Sequence, residues 1–307
     1  MTSKRAATLL FCHGGSFSKE IWSPIIKRVQ AATLLQKKPA HVVTFDFPYH
    51  GTRRDESHPA KVTYENDKTA RVEHPAMHWA KWTADEVWGE VQKIQAKPEE
   101  ERGPLIGIGH SFGAAGLWST EIARPGTFDG LLLFEPVSNM ENFTNVEDLM
   151  NFLILLALNR SNGWNSLEEA EADFKSNKAF ARWHPESLKA YLHSAIVKNE
   201  DADVAFDKSK PCTLACHPHI EASLYNGPEL NLSMEQMGRV QCKTTFHYGE
   251  RSVLFFPQHK EALLQTFPDI YRIGSPVPKT SHLLVLEDPD TVAQRIVETL
   301  EELPAFN

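Results

Sequence analysis

The chain has 307 residues, enough for one large or two modest domains around a substantial core. Its 41% hydrophobic and 23% charged content is ordinary for a globular protein, and a formal net charge of -8 argues against nucleic acid or an anionic membrane as the main partner. Four cysteines (Cys12, Cys212, Cys216, Cys242) are too few for a disulfide framework in a chain this long, so a reducing, cytoplasmic home is expected.

Met1 to Arg5 brings two charges and no secretory apolar region. The longest apolar run, Phe152 to Leu158, is too short to span a bilayer, and Ala305-Phe306-Asn307 is not a peroxisomal address. Ala7 to Cys12 is apolar nearly throughout and predicts a buried parallel strand. His13-Gly14-Gly15-Ser16-Phe17 follows, then a helical apolar pattern from Glu20 to Gln36. His41 to Phe45 predicts a second strand, ending in Asp46-Phe-Pro-Tyr-His50-Gly51. Thr52 to about Trp79 reads as a polar loop long enough to line an entrance, with His58, His74 and His78 in solvated or entrance roles. Thr83 to Lys97 predicts a helix, with Thr83 as N-cap and Glu86 completing a capping box.

Leu105 to Ile108 predicts a buried strand, Gly109-His110-Ser111-Phe112-Gly113 a sharp turn, and Ala114 to Ile122 a helix. This is G-x-S-x-G in the strand-turn-helix setting that gives the pattern its meaning. The turn needs small neighbours, and it lifts the Ser111 hydroxyl to a helix N-terminus, where backbone N–H groups favour a nearby anion. Leu131 to Phe134 is the fourth strand, ending at Glu135-Pro136. Strands alternating with helices predict a parallel, doubly wound α/β sheet. From Val137 to Gln241 that rhythm breaks into helical stretches (Val146 to Asn159, Leu167 to Phe180, Pro185 to Lys198). The expected organisation is a core of residues 1–136 and 242–307, with residues 137–241 inserted as a helical cap over the sheet's C-terminal edge. The alternation resumes with Lys243 to Tyr248, a helix near Gln258 to Thr266 and a short strand at Ile270 to Ile273. The last unit is Ser281 to Leu286, then Asp288 as N-cap and Pro289 as first residue of a helix to Leu303.

A serine hydroxyl becomes a useful nucleophile only when a base takes its proton, and that base is a histidine held by a carboxylate. Of 14 histidines, His282 lies downstream of Ser111, between the last short strand and the C-terminal helix, giving the order Ser, acid, His. His110, inside the elbow, is expected to pack behind it. Cys212, Cys216, His217 and His219 form C-x3-C-H-x-H, which lacks a common zinc spacing and contains the stiff Pro218. Buried cap cysteines and surface histidines are expected there, with no metal.

These motifs resemble the α/β-hydrolase superfamily, and the resemblance covers nearly all of the chain. Gly109 to Gly113 is similar to its nucleophile elbow, and His13-Gly14-Gly15 with Trp22 downstream to its His-Gly-x oxyanion loop. Asp46 to Gly51 is similar to its Asp-x-x-Gly-His-Gly turn, with Tyr49 in place of glycine. More narrowly, Lys19 to Trp22, Ser166 to Ala170 with Trp183, and Thr213 to Pro218 followed by Glu221-Ala222 resemble fungal members grouped with peroxisomal lipase and toxin-biosynthesis hydrolases, which implies small acyl substrates. The resemblance implies an α/β-hydrolase fold and an oxyanion hole made by the N–H groups of Gly15 and Phe112. Two departures stand out. Few residues precede Ala7, so the family's opening hairpin is expected to be missing. The usual aspartate of the Gly-x-x-Asp turn after the cap is replaced, since Gly249-Glu-Arg-Ser252 ends in serine. Some members take the acid from the end of the preceding strand, where Glu135 stands; Glu250 is the rival.

The sequence therefore reads as a serine hydrolase acting through an acyl-enzyme on a small-molecule ester, thioester or lactone, with no cofactor. Serine in the elbow disfavours the epoxide-hydrolase and dehalogenase chemistry for which this fold uses aspartate. The alternatives are a ligand-binding or receptor protein on the same fold and a non-hydrolytic natural-product enzyme. Trp164, Phe174, Phe180, Trp183 and Tyr191 suggest apolar or aromatic acyl groups, or else pack the cap itself.

Overall fold

A computed structural model describes residues 5–139, 145–199 and 209–307. Residues 1–4 of the N-terminal segment, and 140–144 and 200–208 of the expected cap, lie outside the described residues. The strands are β1 (Thr8–Cys12), β2 (His41–Thr44), β3 (Lys61–Asn66), β4 (Thr69–Glu73), β5 (Leu105–His110), β6 (Gly130–Phe134), β7 (Ile196–Lys198), β8 (Cys212–Leu214), β9 (Lys243–His247) and β10 (Tyr271–Ile273). The α-helices are α1 (Ser23–Ala31), α2 (Thr33–Lys37), α3 (Trp79–Gln95), α4 (Phe112–Ala123), α5 (Val146–Leu158), α6 (Leu167–Ser176), α7 (Pro185–Ala195), α8 (Pro218–Tyr225), α9 (Met234–Met237), α10 (Glu261–Thr266), α11 (Leu284–Glu287) and α12 (Pro289–Glu301).

Six strands form one sheet in the order β10-β9-β6-β5-β1-β2, and every neighbouring pair is parallel. The strands are apolar at successive positions because both faces are covered. Leu9, Phe11, Ile106, Ile108, Leu132 and Phe134 pack towards α1 and α12, whereas Leu10, Cys12, Leu131 and Leu133 pack towards α3 and α4. This is the two-residue alternation of a pleated strand. Trp22 is fully buried and packs its ring between Phe11 and Phe134.

Several elements depart from the sequence reading. The expected helix Glu20–Gln36 is three pieces, a 3-10 turn at Lys19–Trp22, then α1 and α2. Pro24 starts α1 afresh in its first turn, and Ala32 is extended, with ψ 146°. The polar loop after Thr52 folds into an antiparallel hairpin, β3 on β4, with Val62 opposite Val72. Ala70 and Val72 are buried against Ile154 and Ala157 of α5 and Ala222 of α8, so the hairpin supports two inserted helices. In that loop His74 is buried and accepts from Ala76 N, while His58 and His78 are exposed. Helix α3 begins one turn earlier than expected. Thr83 is therefore no cap: its hydroxyl donates to the Trp79 carbonyl at 2.7 Å, and Glu86 pairs with Arg53.

Between β6 and β9 the inserted segment is not purely helical. β7 pairs antiparallel with β8, which ends α7 at Ala195 where the β-branched Ile196-Val197 begins. Leu167–Phe180 divides into α6 and a 3-10 turn. Cys212 and Cys216 are buried, as is His217, whose ring accepts from His219 N at the start of α8. At the end of the chain, Leu284–Glu287 is a short helix, and Asp288 caps α12 by accepting from Thr291 N at 2.9 Å. Among the described residues no helix is long and apolar enough to cross a membrane.

Candidate active site

Ser111 sits between β5 and α4 with φ 55° and ψ -123°, a left-handed conformation costly for a residue with a Cβ. Its flanking glycines make the turn possible. A Cβ on Gly109 would lie 2.7 Å from Ala114 Cα, and one on Gly113 would lie 2.3 Å from the His13 carbonyl. Ser111 N donates to the Phe134 carbonyl at 2.9 Å, tying the turn to the end of β6.

The next residue along β6 is Glu135, also left-handed at φ 48° and 1% exposed. Its carboxylate collects three donors: Gly249 N at 2.7 Å on Oε1, and the Ser252 hydroxyl at 2.6 Å and His282 Nδ1 at 2.7 Å on Oε2. The far nitrogen of His282, Nε2, accepts from the Ser111 hydroxyl at 3.0 Å. A carboxylate on Nδ1–H fixes the imidazole tautomer and leaves Nε2 free to take a proton from the serine. The structure thus brings Ser111, His282 and Glu135 together at the C-terminal edge of the sheet, where ligands bind in open parallel sheets. Glu250 is exposed and accepts from Lys279 N at 2.7 Å. His110 is fully buried and its Nε2–H donates to the His282 carbonyl at 2.8 Å, bracing the loop that carries the base.

Gly15 lines the cavity above Ser111, and Phe112 opens α4, so the Phe112 N–H has no acceptor within its helix. A Cβ on Gly15 would lie 2.9 Å from the Phe112 ring. The loop holding Gly15 is fastened by two buried, neutral histidines. His13 donates from Nδ1 to the Gly14 carbonyl at 2.8 Å and accepts Phe47 N at Nε2 at 3.0 Å. His50 donates from Nδ1 to the Pro48 carbonyl at 2.7 Å and accepts Ser16 N at 3.0 Å. Burial lowers their pKa values to about 4 and about 3, so both keep the lone pair that the loop uses. Burial pushes the neighbouring Asp46 carboxyl up, but hydrogen bonds from Lys19 and Thr52 and the facing His13 outweigh it and bring the pKa to about 2. Tyr49, where the family's turn has glycine, keeps a left-handed φ of 69°.

A cavity of about 580 Å³ opens over Ser111, between the sheet edge and the inserted helices. All five aromatic residues singled out in the inserted segment line it, and all five also pack on one another, with ring centroids of Trp164 and Phe174 5.7 Å apart, of Phe174 and Phe180 4.7 Å and of Trp183 and Tyr191 5.2 Å. Two neighbours of the site went unmarked in the sequence. One is the Ser252 hydroxyl on Glu135; the signal for it was the serine standing at the usual acid position. The other is the pair Arg160 and Glu221 in the cavity wall, which no local pattern announces.

Comparison with known proteins agrees with this architecture. The Abhydrolase domain-containing protein AFT2-1 of Alternaria alternata is 23% identical over 228 residues, spanning 65% of this chain and 84% of that protein. The peroxisomal alpha-beta-hydrolase Lpx1 from Saccharomyces cerevisiae superposes with a TM-score of 0.73 at 21% identity, covering 98% of this chain and 78% of that one. The thioesterase domain from the curacin biosynthetic pathway superposes with a TM-score of 0.61 at 18% identity, covering 95% of this chain and 91% of that one. Residues 9–295 match the sequence model of the alpha/beta hydrolase family, a span that runs from β1 into α12 and holds Ser111, Glu135 and His282, and the chain belongs to that family.

Proposed function

We propose that this hydrolase cleaves a small-molecule carboxylic ester, thioester or lactone through an acyl-enzyme, with Ser111 as nucleophile, His282 as base and Glu135 as acid. The observation that carries the reading is the unbroken chain from the Ser111 hydroxyl through His282 to the Glu135 carboxylate, at 3.0 and 2.7 Å, beneath a largely apolar cavity. His282 Nε2 takes the hydroxyl proton as Ser111 Oγ attacks the acyl carbon. The negative charge that develops on the acyl oxygen is met by the N–H groups of Gly15 and Phe112. Glu135 steadies the imidazolium, which returns its proton to the leaving oxygen or sulfur. Water then repeats the sequence and releases the acid. No cofactor enters any step. Residues 137–241 act as the cap that shapes the acyl pocket. The likeness to a thioesterase domain of a biosynthetic pathway supports a place in secondary metabolism, and four free, buried cysteines support a reducing cytoplasm.

A fluorophosphonate probe tests the reading, since it labels an activated serine and ignores an idle one. Labelling should fall on Ser111 and vanish in Ser111→Ala. Turnover of an aryl or acyl-CoA ester should drop by about 10^4 to 10^6 in that variant, and by a similar amount in His282→Ala. An unlabelled wild-type protein would favour a ligand-binding role on this fold instead.

A further inference from the structure

The cavity over Ser111 is walled mainly by aromatic and aliphatic side chains, yet one guanidinium reaches into it. Arg160 follows the end of α5, and both of its terminal nitrogens bond to the two carboxylate oxygens of Glu221 on α8, with Nη2 to Oε1 at 2.9 Å. Tyr225 adds a hydroxyl to the same carboxylate at 3.2 Å. Glu221 is buried at 3% side-chain exposure, whereas Arg160 keeps 25%, and both line the cavity. A guanidinium carries five N–H donors, and the fork to Glu221 uses two of them. An apolar chain filling the cavity would strip water from the others and offer nothing in return, a penalty for any ligand that lacks an acceptor there. The acceptor need not be an anion. Glu221 already balances the Arg160 charge, and Asp173 and Glu229 add two more carboxylates to the lining.

We propose that the acyl chain taken by this cavity carries a neutral oxygen, a hydroxyl or oxo group on an otherwise apolar body, and that Arg160 donates a hydrogen bond to it. The proposal rests on the acyl-enzyme reading for the reacting end of the substrate, and on the Arg160–Glu221 geometry alone for the oxygen. A site built around a buried donor discriminates strongly against the analogue lacking its acceptor, far more than a purely apolar pocket discriminates by one methylene.

The test is a matched set of 4-nitrophenyl esters on the full chain: plain decanoate, its isomers with a hydroxyl moved carbon by carbon along the chain, and the monoester of the dicarboxylic acid of equal length. Binding of the corresponding methyl esters to Ser111→Ala, followed by calorimetry, reads the same preference without turnover. At least one hydroxylated isomer should exceed plain decanoate by about tenfold or more in kcat/KM and in affinity, with the dicarboxylate behind it. The paired change Arg160→Met with Glu221→Met removes the donors without stranding a buried carboxylate, and it should abolish the preference by improving plain decanoate. Plain decanoate matching every isomer in both readouts would overturn the proposal, as would the dicarboxylate in first place or a preference that survives the paired change. A hydroxyl preference in binding with no turnover by the wild-type protein would support the oxygen site and sink the acyl-enzyme reading instead.

Discussion

Ser111 and Glu135 both hold backbone conformations that cost roughly 1–3 kcal/mol each, and both are clamped by a hydrogen bond to the neighbouring strand, Ser111 N to Phe134 O and Glu135 N to His247 O. Such strain at the ends of adjacent strands sets the two side chains on either side of His282. If Glu135 is the acid, Glu135→Gln keeps the shape but loses the charge that holds the imidazolium, and kcat should fall by about 10^3 to 10^4. Glu250→Gln should cost less than about tenfold, or about 1.4 kcal/mol. Assaying both on one substrate decides, and the reverse order would move the acid to Glu250. Ser252 deserves its own variant, because its hydroxyl is aimed by the turn itself: Ser252 Oγ accepts Leu254 N at 3.1 Å and Phe255 N at 3.3 Å while donating to Glu135. Ser252→Ala should lower kcat by about tenfold with KM unchanged, since the residue holds the acid and lies outside the cavity lining. An unaltered kcat would leave Ser252 a turn residue only.

Among the elements, those with strong local signals were legible. The elbow is written in Gly109 and Gly113, whose missing side chains make room for Ala114 and the His13 carbonyl. The start of α12 is written in Asp288-Pro289, and Asp288→Ala should cost about 1 kcal/mol in a urea melt, the usual loss of an N-cap. Thr83→Ala should show no cap effect, because Thr83 lies a turn inside α3. The hairpin β3–β4 was missed although it left traces. Ala70 and Val72 alternate with polar neighbours, and Asn66 Oδ1 takes Lys68 N at 2.8 Å in the turn. The charges on its outer face outweighed that alternation, and its partners, α5 and α8, are remote in sequence.

At the scale of the whole molecule, two apolar layers sandwich the sheet, and a buried lysine with no carboxylate partner among the described residues sits inside one of them. Lys260 is 9% exposed, and its ammonium lies 5.6 Å from the Trp118 ring centre and 5.9 Å from that of Phe255. Burial lowers its pKa from 10.5 to about 8. The unfolded chain therefore binds more protons between about pH 8 and 10.5, and the Lys260 contribution to stability rises with pH across that window. Below pH 8 the buried charge costs about 3 kcal/mol. Lys260→Met should thus stabilise the protein at pH 7 by a few kcal/mol, and the gap to wild type in denaturant melts should narrow above pH 8. A constant gap would mean that Lys260 binds its proton equally in the folded and unfolded chain, with its pKa left at the ordinary value.

The sequence by itself determined the parallel sheet, because strands buried on both faces must be apolar at successive positions, and it determined the serine elbow, because only glycine fits on either side of it. It also singled out Ser111 and His282, one at the end of a strand and one just beyond the last, and left Glu135 and Glu250 as rivals for the third place. Only the tertiary structure places Glu135, and not Glu250, against His282. Both follow strands, but β6 lies beside β5 and carries Glu135 to the neighbourhood of Ser111, while the turn after β9 leaves Glu250 facing solvent. It alone joined Arg160 to Glu221, 61 residues further along the chain, by folding the inserted helices over the sheet edge. Short-range sterics and burial are written in neighbouring residues; a hydrogen bond between distant residues exists only once the packing that brings them together exists.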